Sequence, residues 1–145
     1  MTRLDPAERH RAREAALQML YQREVGRIGA YEAVATYWPL QDPEGRVRDA
    51  LREFANALVK GTIERVAEID ALLSAHAHNW RIERMAAIDR QVLRLAVFEL
   101  LSAPETPLKV VINEALELTR TYSGDEAVPF VNGVLDAVRK DLKRD

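Results

Sequence analysis

A cluster of basic residues opens the first predicted helix of this 145-residue chain. It consists of Arg9, His10, Arg11 and Arg13, and Arg3 stands just ahead of it. Cations near a helix N-terminus oppose the helix dipole, at a cost of about 0.3–1 kcal/mol for a well-placed charge, so helix stability does not explain them. Guanidinium groups bind phosphates and stack on nucleobases, which makes this basic cluster a candidate nucleic-acid contact.

Tyr21 adds an aromatic ring to the same helix. On a helical wheel Tyr21 shares a face with His10, and Arg13 lies beside it. An aromatic ring next to arginines is a combination that binds single-stranded RNA. The alternative is a solvated helix face whose basic residues are neutralised by acidic residues of the same segment. Those acidic residues are Asp5, Glu8 and Glu14.

Few residues of the chain could carry catalysis or hold a metal. The chain has no cysteine, which excludes disulfides, zinc–thiolate sites and cysteine nucleophiles. Two of its three histidines, His76 and His78, are two residues apart, so on a helix they face different ways and cannot share a metal. There is no Glu-x-x-His pair, phosphate-binding glycine loop or nucleophile elbow. The sequence therefore predicts a binding protein with no cofactor and no metal, rather than an enzyme.

The composition predicts one soluble globular domain, residues 1–145. Hydrophobic residues make up 48% and charged residues 30% of the chain. The lack of cysteine fits a reducing cytoplasm, and no apolar run approaches the length that spans a bilayer, so no membrane partner is expected. The formal net charge of −2 gives no overall attraction to nucleic acid, so RNA binding would depend on a local basic patch.

Residues 92–101 are the centre of the predicted fold. Eight of the ten are apolar and none is glycine or proline, so a helix there must be covered on most sides by other helices. A buried strand would look similar, but Ile88, Val92, Leu95 and Ala96 form one helical stripe that includes the preceding turn. We therefore predict an all-α fold around a buried central helix, residues 88–102.

Capping residues and prolines place the helices before this centre. Asp5 and Glu8 predict a capped start for the first helix, which should run to about Val25. A second helix is predicted over residues 30–38, ended by Pro39. Its buried side should hold Tyr31, Val34, Ala35 and Trp38.

Hydrophobic periodicity predicts the remaining elements. One long helix is expected from about Val47 to His78, bent near Gly61 and ended by the pair Asn79-Trp80. The other elements are a short turn over 81–85, a helix over 107–122 that buries Val110, Val111, Ala115 and Leu118, and a last helix that starts near Pro129 and buries Val131, Val134, Leu135 and Val138. Three further residues, Asn113, Asn132 and Gly133, are expected to serve helix–helix hydrogen bonding and close packing.

Four segments of the chain resemble the NusB family of bacterial transcription antitermination factors. They are residues 11–21 (RAREAALQMLY), 88–100 (IDRQVLRLAVFEL), 107–118 (PLKVVINEALEL) and 130–136 (FVNGVLD). The resemblance covers nearly the whole chain and is weakest between Gly26 and Val47. It implies about seven helices in two packed helical subdomains and no enzymatic activity.

The resemblance also implies partners. Members of the family bind the single-stranded boxA element of nascent RNA together with the ribosomal small-subunit protein NusE. The pair joins other Nus factors on RNA polymerase and suppresses termination in ribosomal RNA operons. The free protein is expected to be either a monomer or a homodimer that covers its RNA-binding face.

Matching the family's motifs position by position gives the expected site residues. RNA binding is expected at Arg9, His10, Arg11, Arg13, Tyr21, Tyr122, Glu126 and Phe130, which should form one surface. Partner binding is expected near Glu83, Asp89 and Arg90. Substituting Arg11 or Arg13 by alanine should weaken RNA binding without altering thermal stability.

The chain departs from the family's pattern in two places. His10 stands where a third arginine or lysine is common, which lowers the expected RNA affinity at neutral pH. Residues 127–129 (AVP) replace a more polar stretch that often carries a lysine, which removes an expected phosphate contact.

Two other functions are compatible with the sequence. Some ribosomal RNA cytosine methyltransferases carry a NusB-like N-terminal module, although no βαβ pattern for a cofactor is present here, so this alternative applies only to a fragment. The second alternative is a purely structural helical protein that mediates interactions between other proteins. Titration with boxA-like RNA separates both from an antitermination factor.

Overall fold

The computed structural model describes residues 3–77 and 81–144, which form seven α-helices and two 3-10 turns, with no strand among them. The helices are α1 (Pro6–Gly26), α2 (Ala30–Gln41), α3 (Asp49–Glu64), α4 (Val66–His76), α5 (Ala87–Ser102), α6 (Leu108–Tyr122) and α7 (Val128–Asp141). The chain divides into two compact units, residues 1–63 and 64–145. The predicted all-α fold with two helical subdomains is confirmed. Over the described ranges, no helix is long and apolar enough to cross a membrane.

The start of α1 is set by a capping box. The Asp5 carboxylate accepts a hydrogen bond from the Glu8 amide at 2.8 Å, and the Glu8 carboxylate accepts one from the Asp5 amide at 3.3 Å. Two otherwise unsatisfied amides of the helix start are satisfied in this way, as the sequence predicted. At the other end, Arg27 closes the helix in the left-handed conformation, with a φ of 55°.

The face of α2 that is buried differs from the predicted one. The buried residues are Ala33, Tyr37 and Trp38. Tyr31, which was expected to be buried, is 87% exposed. The prediction was wrong because α2 has apolar residues on several sides, and contacts with the other helices select one of them. The Tyr37 hydroxyl donates to the Gln18 side chain of α1, and the Trp38 indole N–H donates to Asn56 of α3 at 2.9 Å.

Pro39 lies inside α2 and does not end it, which corrects a second prediction. The helix continues to Gln41, and the Asp42 amide closes it on the Trp38 carbonyl at 2.8 Å. Proline removes one backbone donor, but in the last turn of a helix this loss affects a single hydrogen bond near the terminus.

The predicted long helix is two helices, α3 and α4. They are separated by Arg65, whose φ of −106° and ψ of 16° leave helical geometry. The bend predicted near Gly61 was wrong, because α3 continues through that residue and the break follows four residues later. The predicted helix end at His78 and the break at Asn79-Trp80 lie outside the described residues.

The central helix of the second unit is α5, as predicted. It packs against α4, α6 and α7. Its buried apolar residues are Val92, Leu93, Leu95, Ala96, Val97 and Leu100. Arg94 leaves this apolar surface by pairing with Asp70 of α4 through two hydrogen bonds, at 2.9 and 2.8 Å. The pair joins the middle of α5 to α4.

The packing predicted for α6 and α7 is mostly correct. The buried residues are Val111, Ala115 and Leu118 on α6, and Val131, Val134, Leu135 and Val138 on α7. Val110, however, is 40% exposed. Asn113, Asn132 and Gly133 are exposed as well, and neither asparagine side chain forms a hydrogen bond with any described residue. A Cβ atom at Gly133 would meet no atom within 4 Å, so the packing roles expected of these three residues were wrong.

Candidate nucleic-acid interface

Two arginines of the basic cluster approach one aromatic ring. Arg9 and Arg13 lie one turn apart on α1, and the guanidinium carbon of each is 5.9 Å from the ring centroid of Phe54 on α3. These distances are within the range of cation–π attraction. Arg9 is half-buried, and Arg13 is only 3% exposed. Arg13 therefore fastens α1 to α3 in this structure, whereas the sequence had placed it on the RNA-binding surface.

Arg11 and Tyr21 are the accessible members of the predicted α1 site. Arg11 is exposed and makes no hydrogen bond or ion pair with any residue of the described ranges. Tyr21 is 38% exposed. The two residues are ten positions apart, or about 15 Å along the helix axis. A guanidinium with free donors binds a phosphate, and an exposed ring stacks on a base.

The acidic residues at the start of α1 are engaged elsewhere. The Glu8 carboxylate accepts hydrogen bonds from Nε and Nη2 of Arg48, both at 2.7 Å. The bonds from Arg48, followed by the one from the Asp5 amide, lower the pKa of Glu8 below its ordinary value of 4.5. Asp5 is occupied as the helix cap. Neither Asp5 nor Glu8 therefore neutralises Arg11. This weakens the alternative of a solvated helix face whose basic and acidic residues neutralise each other.

His10 has its own acidic neighbour. Its Nε2 atom lies 3.8 Å from the Glu14 carboxylate, one turn further along α1. The basic cluster thus contains a histidine next to an acid. The sequence analysis predicted that His10 departs from the family's pattern, and the structure shows that Glu14 lies next to it.

Three predicted site residues of the second unit meet in one cleft. Asp89, Glu126 and Phe130 line a cleft of about 240 Å³. The other lining residues are Met85, Ala86 and Ala127. One Asp89 carboxylate oxygen is buried and has no hydrogen-bond partner among the described residues. A buried acceptor of this kind favours a ligand that brings a donor, such as an N–H of a base edge or of a protein side chain.

Arg90 holds the backbone beside this cleft in place. Its Nη1 atom donates to the carbonyls of Ile82 and Met85, at 2.7 and 3.1 Å. The two bonds fix the 3-10 turn Ile82–Arg84 and the start of α5 relative to each other. Arg90 is therefore a positioning residue for the turn, whereas Glu83 is exposed on it.

The opposite wall of the cleft is the connection between α6 and α7. Tyr122 ends α6 and is half-buried, and the 3-10 turn Asp125–Ala127 follows. Gly124 has a φ of 138°, and a Cβ atom there would lie 2.5 Å from the Glu126 carboxylate. Only glycine allows this conformation together with the position of Glu126. Ala127 adds an apolar side chain to this wall.

The predicted RNA-binding residues fall in both units of the chain. The α1 residues belong to the first unit, and Tyr122, Glu126 and Phe130 to the second. That all of them form one surface stays a prediction. Sequence reasoning missed Phe54, Arg48 and Met85. Each is an ordinary helix or turn residue in the sequence, and its partners become apparent only when distant segments are packed.

Metal ligation finds little support in the described part of the chain. No group of three or more His, Asp or Glu side chains there could hold a metal ion. His76 pairs instead with Asp141 of α7, at 3.0 Å. His78 lies outside the described residues, so the expectation that the two histidines share no metal stays a prediction.

Comparison with known proteins gives one consistent family. The model of the NusB family matches residues 10–140. A transcription antitermination protein NusB of Koribacter versatilis is 44% identical over 134 residues, which covers 92% of this chain and 90% of the relative. Another, of Solibacter usitatus, is 46% identical over 137 residues, covering 94% and 91%.

Solved structures agree with the sequence comparisons. The NusB structure of T. maritima superimposes with a TM-score of 0.82 at 32% identity, over 92% of this chain and 91% of the other. A crystal structure of the antitermination factors NusB and NusE in complex with double-stranded RNA matches with a TM-score of 0.84 at 27% identity, covering 93% and 98%.

Proposed function

Because the chain belongs to the NusB family, we propose that it is a transcription antitermination factor that binds boxA RNA together with the ribosomal protein NusE. The RNA would be the single-stranded boxA element of ribosomal RNA transcripts. The complex would join other Nus factors on RNA polymerase. The protein would act by binding rather than by catalysis, in the cytoplasm.

The observation that carries this proposal is the exposed guanidinium of Arg11, which has no partner among the described residues, on the same helix as the exposed ring of Tyr21. Fold stability does not require either group to be exposed, and the acids that could have neutralised Arg11 have other partners. A phosphate contact at one point and a stacked base about 15 Å away suit an extended, single-stranded RNA segment.

The residues of α1 would have different roles in RNA binding. Arg11 would bind a phosphate, Tyr21 would stack on a base, and Arg9 would add positive potential, with the His10 ring beside them. Arg13 would contribute by holding α1 against Phe54, because its own side chain is buried. This assignment separates two arginines that the sequence alone treats as equivalent.

The cleft of the second unit would provide recognition by hydrogen bonding. Asp89 and Glu126 present carboxylate acceptors between the apolar side chains of Met85 and Phe130. We assign Asp89, with Glu83 on the exposed turn, to the protein partner. Glu126, Phe130 and Tyr122 are assigned to the RNA, and Arg90 supports the turn that carries Glu83.

A titration of fluorescently labelled RNA against the full chain tests this function. We expect the single-stranded boxA-like RNA to bind more tightly than a scrambled single strand, and saturating NusE to raise its affinity further. A double-stranded RNA of the same sequence is the matched control for base recognition, because its bases are paired and stacked. Equal affinity for boxA and scrambled RNA, with and without NusE, would reject the proposed function.

A further inference from the structure

A second, wider groove lies on the unit formed by residues 64–145, away from every residue assigned above. It has a volume of about 690 Å³ and lies between the first turns of α6 and the end of α7. Its lining residues are Pro107, Leu108, Lys109, Ile112, Asn113 and Arg139.

The groove is apolar between two cations. Pro107, Leu108 and Ile112 supply the apolar surface, and Lys109 and Arg139 are the charged residues among the described part of the lining. An apolar groove with two cations and no acid among its described lining residues complements a ligand that is both apolar and negatively charged.

The two cations differ in their partners. Lys109 is exposed and makes no ion pair or hydrogen bond with any described residue. Arg139 donates from Nε to Asp136 at 2.8 Å, but Asp136 is also 3.2 Å from the ammonium group of Lys140. One carboxylate thus serves two cations, so positive charge remains along this edge of the groove.

Asn113 offers a different kind of contact. Its side chain is exposed, and no described residue forms a hydrogen bond with it. A primary amide has both donors and an acceptor, which match the C=O and N–H groups of a peptide backbone. The helix–helix hydrogen bond predicted for Asn113 is not formed with any described residue, so its amide is accessible to a ligand.

We propose that this groove binds an acidic, amphipathic segment of a protein partner. Apolar side chains of the segment lie on Leu108 and Ile112, its carboxylates pair with Lys109 and Arg139, and a peptide group meets Asn113. None of the described residues that line the groove is aromatic, so these residues offer no stacking surface of the kind that binds single-stranded RNA. The site does not depend on the proposed RNA-binding function.

Three synthetic helical peptides test the proposal by NMR of the full chain labelled with ¹⁵N. The first has leucines on one face and glutamates beside them, and the other two carry glutamine or lysine in place of glutamate. We expect the glutamate peptide to shift the amide signals of residues 108–113 and Arg139. The glutamine peptide should bind roughly fivefold more weakly, the factor that corresponds to an exposed ion pair.

Charge reversal at Lys109 provides the decisive variant. Because Lys109 is exposed and pairs with no residue that the structure describes, Lys109→Glu should fold normally. It should bind the glutamate peptide at least roughly fivefold more weakly and gain affinity for the lysine peptide. Lys60→Glu makes the same change at an exposed lysine of α3 and should leave both affinities unaltered.

Three results would overturn the proposal. The first is unchanged affinity of the glutamate peptide for Lys109→Glu, and the second is signal shifts confined to residues outside the groove. The third is displacement of the peptide from the groove by single-stranded polyuridine RNA that shifts the same amide signals, which would make the groove a phosphate-binding surface. RNA binding at α1 is measured separately, so its failure leaves this test intact.

Discussion

The guanidinium carbon of Arg13 lies 5.9 Å from the ring centroid of Phe54, and Arg13 is 3% exposed. Cation–π attraction is worth about 0.5–1 kcal/mol at exposed sites and about 2 kcal/mol when the cation is desolvated. Two positions earlier, Arg11 is exposed and unpaired within the described ranges. One basic cluster therefore contains an arginine that stabilises the fold and an arginine that is available to a ligand.

Substituting Arg13 should therefore lower stability, contrary to what the sequence alone predicted. We expect Arg13→Ala to lower the free energy of unfolding by about 1–2 kcal/mol, because the contact with Phe54 and the packing of the arginine stem are lost. Thermal unfolding followed by circular dichroism measures the effect. Arg11→Ala is the matched control and should melt with the wild type. A melting temperature of Arg13→Ala equal to that of Arg11→Ala would show that the contact with Phe54 contributes nothing.

Leu95 tests the core of the second unit. Its side chain is 2% exposed in the central helix, so Leu95→Ala should lower the free energy of unfolding by about 2–5 kcal/mol through lost burial and a cavity. Leu40→Ala makes the same change where the side chain is 78% exposed and should cost less than about 0.5 kcal/mol. Urea unfolding compares the two. Similar costs for both variants would mean that α5 is not the axis of its unit.

Asp89 should affect binding without supporting the fold. One of its oxygens is buried and has no hydrogen-bond partner among the described residues, so Asp89→Asn breaks no hydrogen bond at that atom. We expect unchanged or higher thermal stability, together with weaker binding of NusE, because the carboxylate acceptor is replaced by a neutral amide. Calorimetric titration with NusE measures the affinity. If Asp89→Asn lost thermal stability but bound NusE as tightly as the wild type, Asp89 would be a residue that stabilises the fold and not one that binds the partner.

Asp42 should make the first unit sensitive to acid. Hydrogen bonds from the Val47 and Arg46 amides and from Arg52 lower the pKa of Asp42 below its ordinary value of 3.8. Because the folded pKa is below the unfolded one, the stability that the carboxylate contributes is fully present above about pH 4. It is lost as the pH falls through the folded value.

Asp42→Asn isolates this contribution. At neutral pH the variant should be less stable than the wild type in urea, and the difference should shrink as the pH falls below about 4. Glu53→Gln, at an exposed acid of α3 with no partner among the described residues, is the control and should show no such difference. A stability difference for Asp42→Asn that stays constant down to acid pH would contradict the account.

Local features of this fold were predictable, and features that depend on packing were not. The start of α1 follows from Asp5 and Glu8, which lie three residues apart and interact within one turn. The centre of the second unit follows from the uninterrupted apolar run 92–101. The buried face of α2 was predicted wrongly, because α1 and α3 decide which side of an apolar helix is covered.

The candidate site shows the same division. Arg11 and Tyr21 were predicted as RNA-binding residues from residue type and spacing, and both are exposed, as such a role requires. The burial of Arg13 was not recognisable, since it requires Phe54, which lies forty-one residues further along the chain. The break at Arg65 was also missed, because neither glycine nor proline marks it.

The salt dependence of RNA binding tests the central claim most directly. The affinity of single-stranded boxA-like RNA is measured for the wild type and for Arg11→Ala over a series of salt concentrations. If Arg11 binds a phosphate, the variant should bind more weakly at low salt, and the slope of log affinity against log salt should be smaller by about 0.7, the value for one phosphate contact in a single strand. Superimposable lines for the two proteins would show that Arg11 does not contact the RNA.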